Sequence, residues 1–72
     1  MCKVTLFFED GEYNTCYVSK ETPEKILRHF GVNLNTKIIY MNGKMLSKEE
    51  MNKMIPETGI VHFSIKNKTV MR

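Results

Sequence analysis

The sequence predicts an α+β domain: a mixed sheet of four to five strands packed on one helix, with a short second helix. Three observations carry this. Residues 2 to 8, 13 to 19 and 60 to 66 alternate their side chains with the two-residue period of half-buried strands. Ile26, Leu27 and Phe30, behind Thr22-Pro23, fall on one helical stripe. Asn42-Gly43, set among β-rich residues, is a strong hairpin signal, because both central positions of a type I′ turn need positive φ.

Each element has its own justification. CKVTLFF places Cys2, Val4, Leu6 and Phe8 on one face and Lys3, Thr5 and Phe7 on the other. The turn EDGE follows, with Gly11 suited to positive φ. In the second strand Cys16 and Val18 oppose Tyr13, Thr15 and Tyr17, which makes a hairpin the economical arrangement. Thr22 suits an N-cap, Pro23 the first helical position, Glu24 the positive end of the dipole and Gly31 the left-handed stop. Residues 37 to 41 form a third strand and 44 to 46 its short return. Ser47 with Glu50 three residues on makes a capping box for a second helix, whose buried side is expected from Met51, Met54 and Ile55, and Pro56 ends it. Met45 is also expected to fill core, and Met41 to be exposed. In the last strand Val61, Phe63 and Ile65 point inward and His62, Ser64 and Lys66 outward. Residues 67 to 72 lie outside the pattern and are expected to fray.

Seventy-two residues correspond to a single domain, 1 to 72, at the small end of the size range. Hydrophobic residues at 42% and charged residues at 26% are ordinary for a soluble chain, and no apolar run approaches the roughly 18 residues of a membrane span. MCKVTLFFEDGE lacks the form of a secretory signal, so the expected location is cytoplasmic. The net charge of +3 is uneven, with four bases and five acids in positions 1 to 36 against seven and three in positions 37 to 72. The bases are nonetheless spread singly, without the stripe that nucleic-acid binders concentrate.

Catalytic and metal chemistry find no footing. Glu49 and Glu50 are adjacent and would point about 100° apart on a helix, so they form no facing carboxylate pair. No glycine-rich phosphate loop or nucleophile elbow is present. Cys2, Cys16, His29 and His62 match no zinc spacing, so neither a metal nor a cofactor is expected. Cys16 is placed opposite about residue 5, roughly 10 Å along the strand from Cys2. A disulfide needs Cα atoms within about 7 Å, so both cysteines are expected as reduced, inward thiols.

Over residues 2 to 66 this order resembles the β-grasp fold of ubiquitin and its relatives. The resemblance rests on the hairpin turning at Gly11, Val18 followed by Thr22, the helix residues Ile26 and Phe30, the segment IIYMNGKML and the closing VHFSI. It implies the mixed sheet around one helix. Ubiquitin and its conjugated or sulfur-carrying relatives act through a terminal glycine pair. This sequence ends KNKTVMR, so no part in conjugation or sulfur transfer is expected of it.

The resemblance also implies an interaction patch on the open sheet face. Ile39 and His62 stand on two of its positions, with Ser64 where a valine would be. Phe7, Tyr13 and Tyr17 project from the same face by their strand phase, and Lys3, Lys37 and Lys66 ring it. The expected function is therefore a non-catalytic module binding a protein partner through Ile39, His62, Ser64, Phe7, Tyr17 and Lys3. Solvation or packing beneath a loop would account for the same outward residues, and His62 fits a solvated strand histidine. Two alternatives stand beside the module. One is RNA contact through Lys44, Lys66, Lys68 and Arg72, a reading prompted by β-grasp domains attached to tRNA synthetases and ribosome-associated factors. The other is an assembly or inhibitor role by strand addition along residues 13 to 19. Membrane association is not expected, and the oligomeric state is left open.

Overall fold

A computed structural model describes residues 1 to 56 and 58 to 68. The chain runs β1 (Cys2–Phe8), β2 (Tyr13–Val18), α1 (Pro23–His29), β3 (Lys37–Met41), β4 (Lys44–Met45), α2 (Lys48–Met51) and β5 (Gly59–Asn67). The strands form one sheet in the order β2-β1-β5-β3-β4. β5 runs parallel to β1 and antiparallel to β3, so the sheet is mixed, as the sequence predicts.

Local chemistry sets the boundaries. At the first hairpin the Gly11 amide donates to the Phe8 carbonyl, the Phe8 amide to the Glu12 carbonyl, and Gly11 takes φ +95°. The Thr22 hydroxyl accepts from the Lys25 amide at 3.4 Å, and Pro23 opens α1 at a position where a missing N–H costs nothing. Beyond α1, Gly31 adopts φ +77°. Its amide donates to Arg28, and the Val32 amide to Leu27. These two bonds make a Schellman motif, with buried Val32 as the apolar residue that seals it. Asn42 at φ +52° and Gly43 at +85° supply the turn between β3 and β4. The Ser47–Glu50 capping box forms in both directions.

The core is the layer between α1 and one sheet face. Ile26 and Leu27 of α1 meet Cys2, Val4, Leu6, Val61, Phe63, Ile65 and Ile39, with Val32, Leu46 and Ile55 closing the ends. α1 covers one face, and the described residues leave the other open.

Several expectations are corrected. β2 stops at Val18 rather than residue 19. Cys16 lies opposite Val4, not residue 5; Cys2 is buried, Cys16 half-buried, and both are free thiols. Met45 and Met54 are exposed, whereas Met41 is half-buried against the core. The reason is that α2 is a single turn of four residues with none buried, so Leu46 before it and Ile55 after it take the inward positions. Asn67 does not fray. It ends β5, its amide donates to Glu9, its side chain accepts from the Lys37 ammonium, and the next amide, of Lys68, donates to Thr36. The rest of the expected frayed segment, residues 69 to 72, lies outside the described residues.

Candidate functional site: the open sheet face

Strand phase and register assemble the open face row by row. Tyr13, Phe7, Ser64 and Tyr40 stand side by side across β2, β1, β5 and β3. One row along are Thr15, Thr5 and His62, and beyond them Tyr17, Lys3 and Ile60. On the other side of the aromatic row Lys66 pairs with Ile38.

The side chains of this surface touch one another. Phe7 packs on Tyr13 at 6.2 Å between centroids and meets His62 edge to face at 5.6 Å. The Lys66 ammonium sits 5.4 Å from the centroid of Tyr40. Thr5, beneath the middle of the surface, is buried, and its hydroxyl lies 3.4 Å from that of Thr15. Asn42 accepts from the His62 amide through its side chain at 2.9 Å and donates its own amide to the His62 carbonyl at 2.8 Å, fixing the backbone behind the histidine. Tyr13 is 66% exposed, Tyr17 61%, Ile60 61% and Phe7 43%. Four large apolar side chains therefore face solvent on one side of a small domain, where scattered single residues would be usual.

Ile39 is corrected. It sits opposite Ile65 on the α1 side of the sheet and is buried with it. Tyr40 takes the open-face place, beside Ser64. β3 reads Lys-Ile-Ile-Tyr-Met, apolar on both faces, so alternation within that strand cannot choose its phase. The signal lies in β5, whose inward set is unambiguous, once the two strands are put in register. Lys37 shares the phase of Ile39 and holds Asn67, so it does not ring the open face. His62, Ser64, Phe7, Tyr17 and Lys3 all lie on that face. Ile38, Tyr40 and Ile60 are members that sequence reasoning missed.

The lysines proposed for phosphate contact are not gathered on one surface. Lys66 belongs to the open face, Lys44 pairs with Met41 in the opposite phase, and Lys68 follows the end of β5 beside Thr36. Arg72 lies outside the described residues. Among the described residues no group of three or more His, Cys, Asp or Glu side chains could hold a metal ion. No helix among them is long and apolar enough to cross a membrane.

Comparison with solved structures fits this geometry. The NMR solution structure of a computationally designed protein based on the template of human erythrocytic ubiquitin superposes with a TM-score of 0.54. The match has 22% identity and covers 100% of both chains. The fold is the ubiquitin-like β-grasp. A ubiquitin-like protein from the hyperthermophilic archaeon Caldiarchaeum subterraneum is similar at a TM-score of 0.49 and 15% identity, over 97% of each chain. No protein-family model and no curated protein sequence matches the chain. At these identities the likeness concerns the β-grasp scaffold, and what the chain does must be argued from its own surface.

Proposed function

We propose that this protein is a non-catalytic interaction module that docks a protein partner on the open face of its β-grasp sheet. The observation that carries the reading is the exposure of Phe7, Tyr13, Tyr17 and Ile60 on one face, with His62 and Tyr40 among them. Burying such a patch is the main favourable term in association, and aromatic side chains bring large area at low entropic cost. Lys3 and Lys66 give the surface a positive rim, so the fitting partner is apolar at the centre of its contact and acidic around it.

The test is capture of partners from the native host, followed by titration of the purified partner against wild type and against Phe7→Asp and Tyr17→Asp. The expected result is at least a tenfold loss of affinity in both variants, with unchanged circular dichroism. Wild-type affinity in both would overturn the reading. Captured material that is nuclease-sensitive and whose affinity falls steeply from low to moderate salt would replace it with RNA contact.

A further inference from the structure

Among the described residues β2 is an outer strand of the sheet, hydrogen-bonded to β1 on one side and to no strand on the other. Exposed edges are ordinarily protected by charge, proline, a bulge or brevity. The opposite edge obeys this rule: β4 has two residues, one of them Lys44. β2 does not. Tyr-Asn-Thr-Cys-Tyr-Val has six residues with no charge, proline or glycine, and its tyrosines, threonine and valine favour extended backbone.

The orientation of the unpaired groups follows from the hairpin. The Phe8 amide donates to the Glu12 carbonyl, and bonded pairs in an antiparallel ladder recur every second residue. Asn14, Cys16 and Val18 therefore bond to β1, while Tyr13, Thr15 and Tyr17 turn their N–H and C=O groups away from the sheet. A groove of 330 Å³ lies under this edge, lined by Cys16, Val18, Lys25 and His29 among others, so the described residues leave it open on the helix side.

The sequence along this edge is a palindrome on the open face: Tyr13, Thr15, Tyr17. We propose that β2 pairs antiparallel with β2 of a second copy of this chain, about a two-fold axis through Thr15. Thr15 then faces Thr15 of the second copy, and Tyr13 of each copy faces Tyr17 of the other. This register brings every outward N–H and C=O of both strands into the ladder. A slip of two residues leaves one outward residue of each copy unpaired. On the α1 side, Asn14 of each copy falls opposite Cys16 of the other, two small side chains above the two grooves. Glu21 and Lys25 both line the groove, so each copy brings both signs of charge to the contact. The assembly is a continuous ten-strand sheet whose two open faces join, with a tyrosine pair on each side of the seam.

The test is sedimentation of the purified chain up to about 1 mM, the range in which interfaces smaller than about 1,200 Å² associate. The expected result is a rise to twice the 8.5 kDa chain mass, with the Tyr13, Thr15 and Tyr17 amides becoming protected from hydrogen exchange as concentration rises. Thr15→Pro removes an outward N–H while sparing the ladder to β1, and should hold the chain monomeric. A chain that stays monomeric at 1 mM overturns the proposal. So does a dimer that leaves those three amides exchanging freely or survives Thr15→Pro in a folded protein. Phe7→Asp and Tyr40→Asp, both outside the β2 seam, should weaken partner docking and leave the dimer intact, so each idea can fail alone.

Discussion

Phe7 and His62 meet edge to face across the parallel pair β1 and β5, with ring centroids 5.6 Å apart. They are not register partners. Phe7 pairs with Ser64 and His62 with Thr5, so the contact is a diagonal that exists because the small Ser64 leaves the space beside Phe7 open. Such ring pairs are worth about 1 kcal/mol beyond area burial. Phe7→Leu keeps much of the apolar area and removes the ring contacts with His62 and Tyr13, so chemical denaturation should show a loss of about 1–2 kcal/mol.

Ile39 and Tyr40 should behave as opposites. Ile39 is fully enclosed beside Ile65, so Ile39→Ala should cost about 3 kcal/mol by urea unfolding, and Ile39→Asp should abolish the folded state. Tyr40→Asp, one residue along and on the open face, should retain the fold with a cost of about 1 kcal/mol.

Asn42 combines two roles that substitution can separate. It takes a left-handed backbone conformation in the turn, and its side chain accepts the His62 amide. Asn42→Gly keeps the backbone freedom and loses only the acceptor, for about 1 kcal/mol. Asn42→Ala loses both, so its thermal midpoint should fall further than that of the glycine variant.

Glu50 gives the fold an acid-sensitive joint. The Ser47 amide, and then its hydroxyl, donate to the Glu50 carboxylate and hold its pKa below the usual carboxylate range. A depressed folded-state pKa means the contribution is present above the unfolded value, about 4.3, and is lost as pH falls through the lower folded value. Glu50→Gln should therefore flatten the dependence of the unfolding midpoint on pH in the acid range below about 4.3. An unchanged slope in that variant would assign the acid dependence to other carboxylates.

The legibility of the chain varies by element for physical reasons. β5 could be read from Val61 to Lys66 because Val61, Phe63 and Ile65 on one face are apolar and His62, Ser64 and Lys66 on the other are polar. α1 could be read from its ends, since Thr22, Pro23 and Gly31 each have one favourable place in a helix boundary. β3 could not, because its two faces are equally apolar and only pairing with β5 fixes which isoleucine goes inward. The methionines divide for a related reason: hydrophobicity does not say how much of a one-turn helix is covered, and Met51 of α2 is half-buried against the core while Met45 and Met54, outside that turn, are exposed. The open face was thus visible as a surface, with His62, Phe7 and Tyr17 rightly placed on it. Its Ile38 and Tyr40 members needed the register with β5, and Ile60 needed the phase of β5 carried back two residues from His62.

The strand made last, β5, occupies the middle of the sheet, hydrogen-bonded to the first strand on one side and to β3 on the other. During synthesis the β1–β2 hairpin and α1 leave the ribosome with no central rib to close against, and their apolar sides wait until residue 67 has emerged. Pairings so far apart in sequence carry a loop-closure cost that slows folding relative to chains built from local contacts. A fragment ending before Gly59 would expose two strand borders at once, from β1 and β3, and should be captured by chaperones or aggregate rather than collect as a partly ordered intermediate.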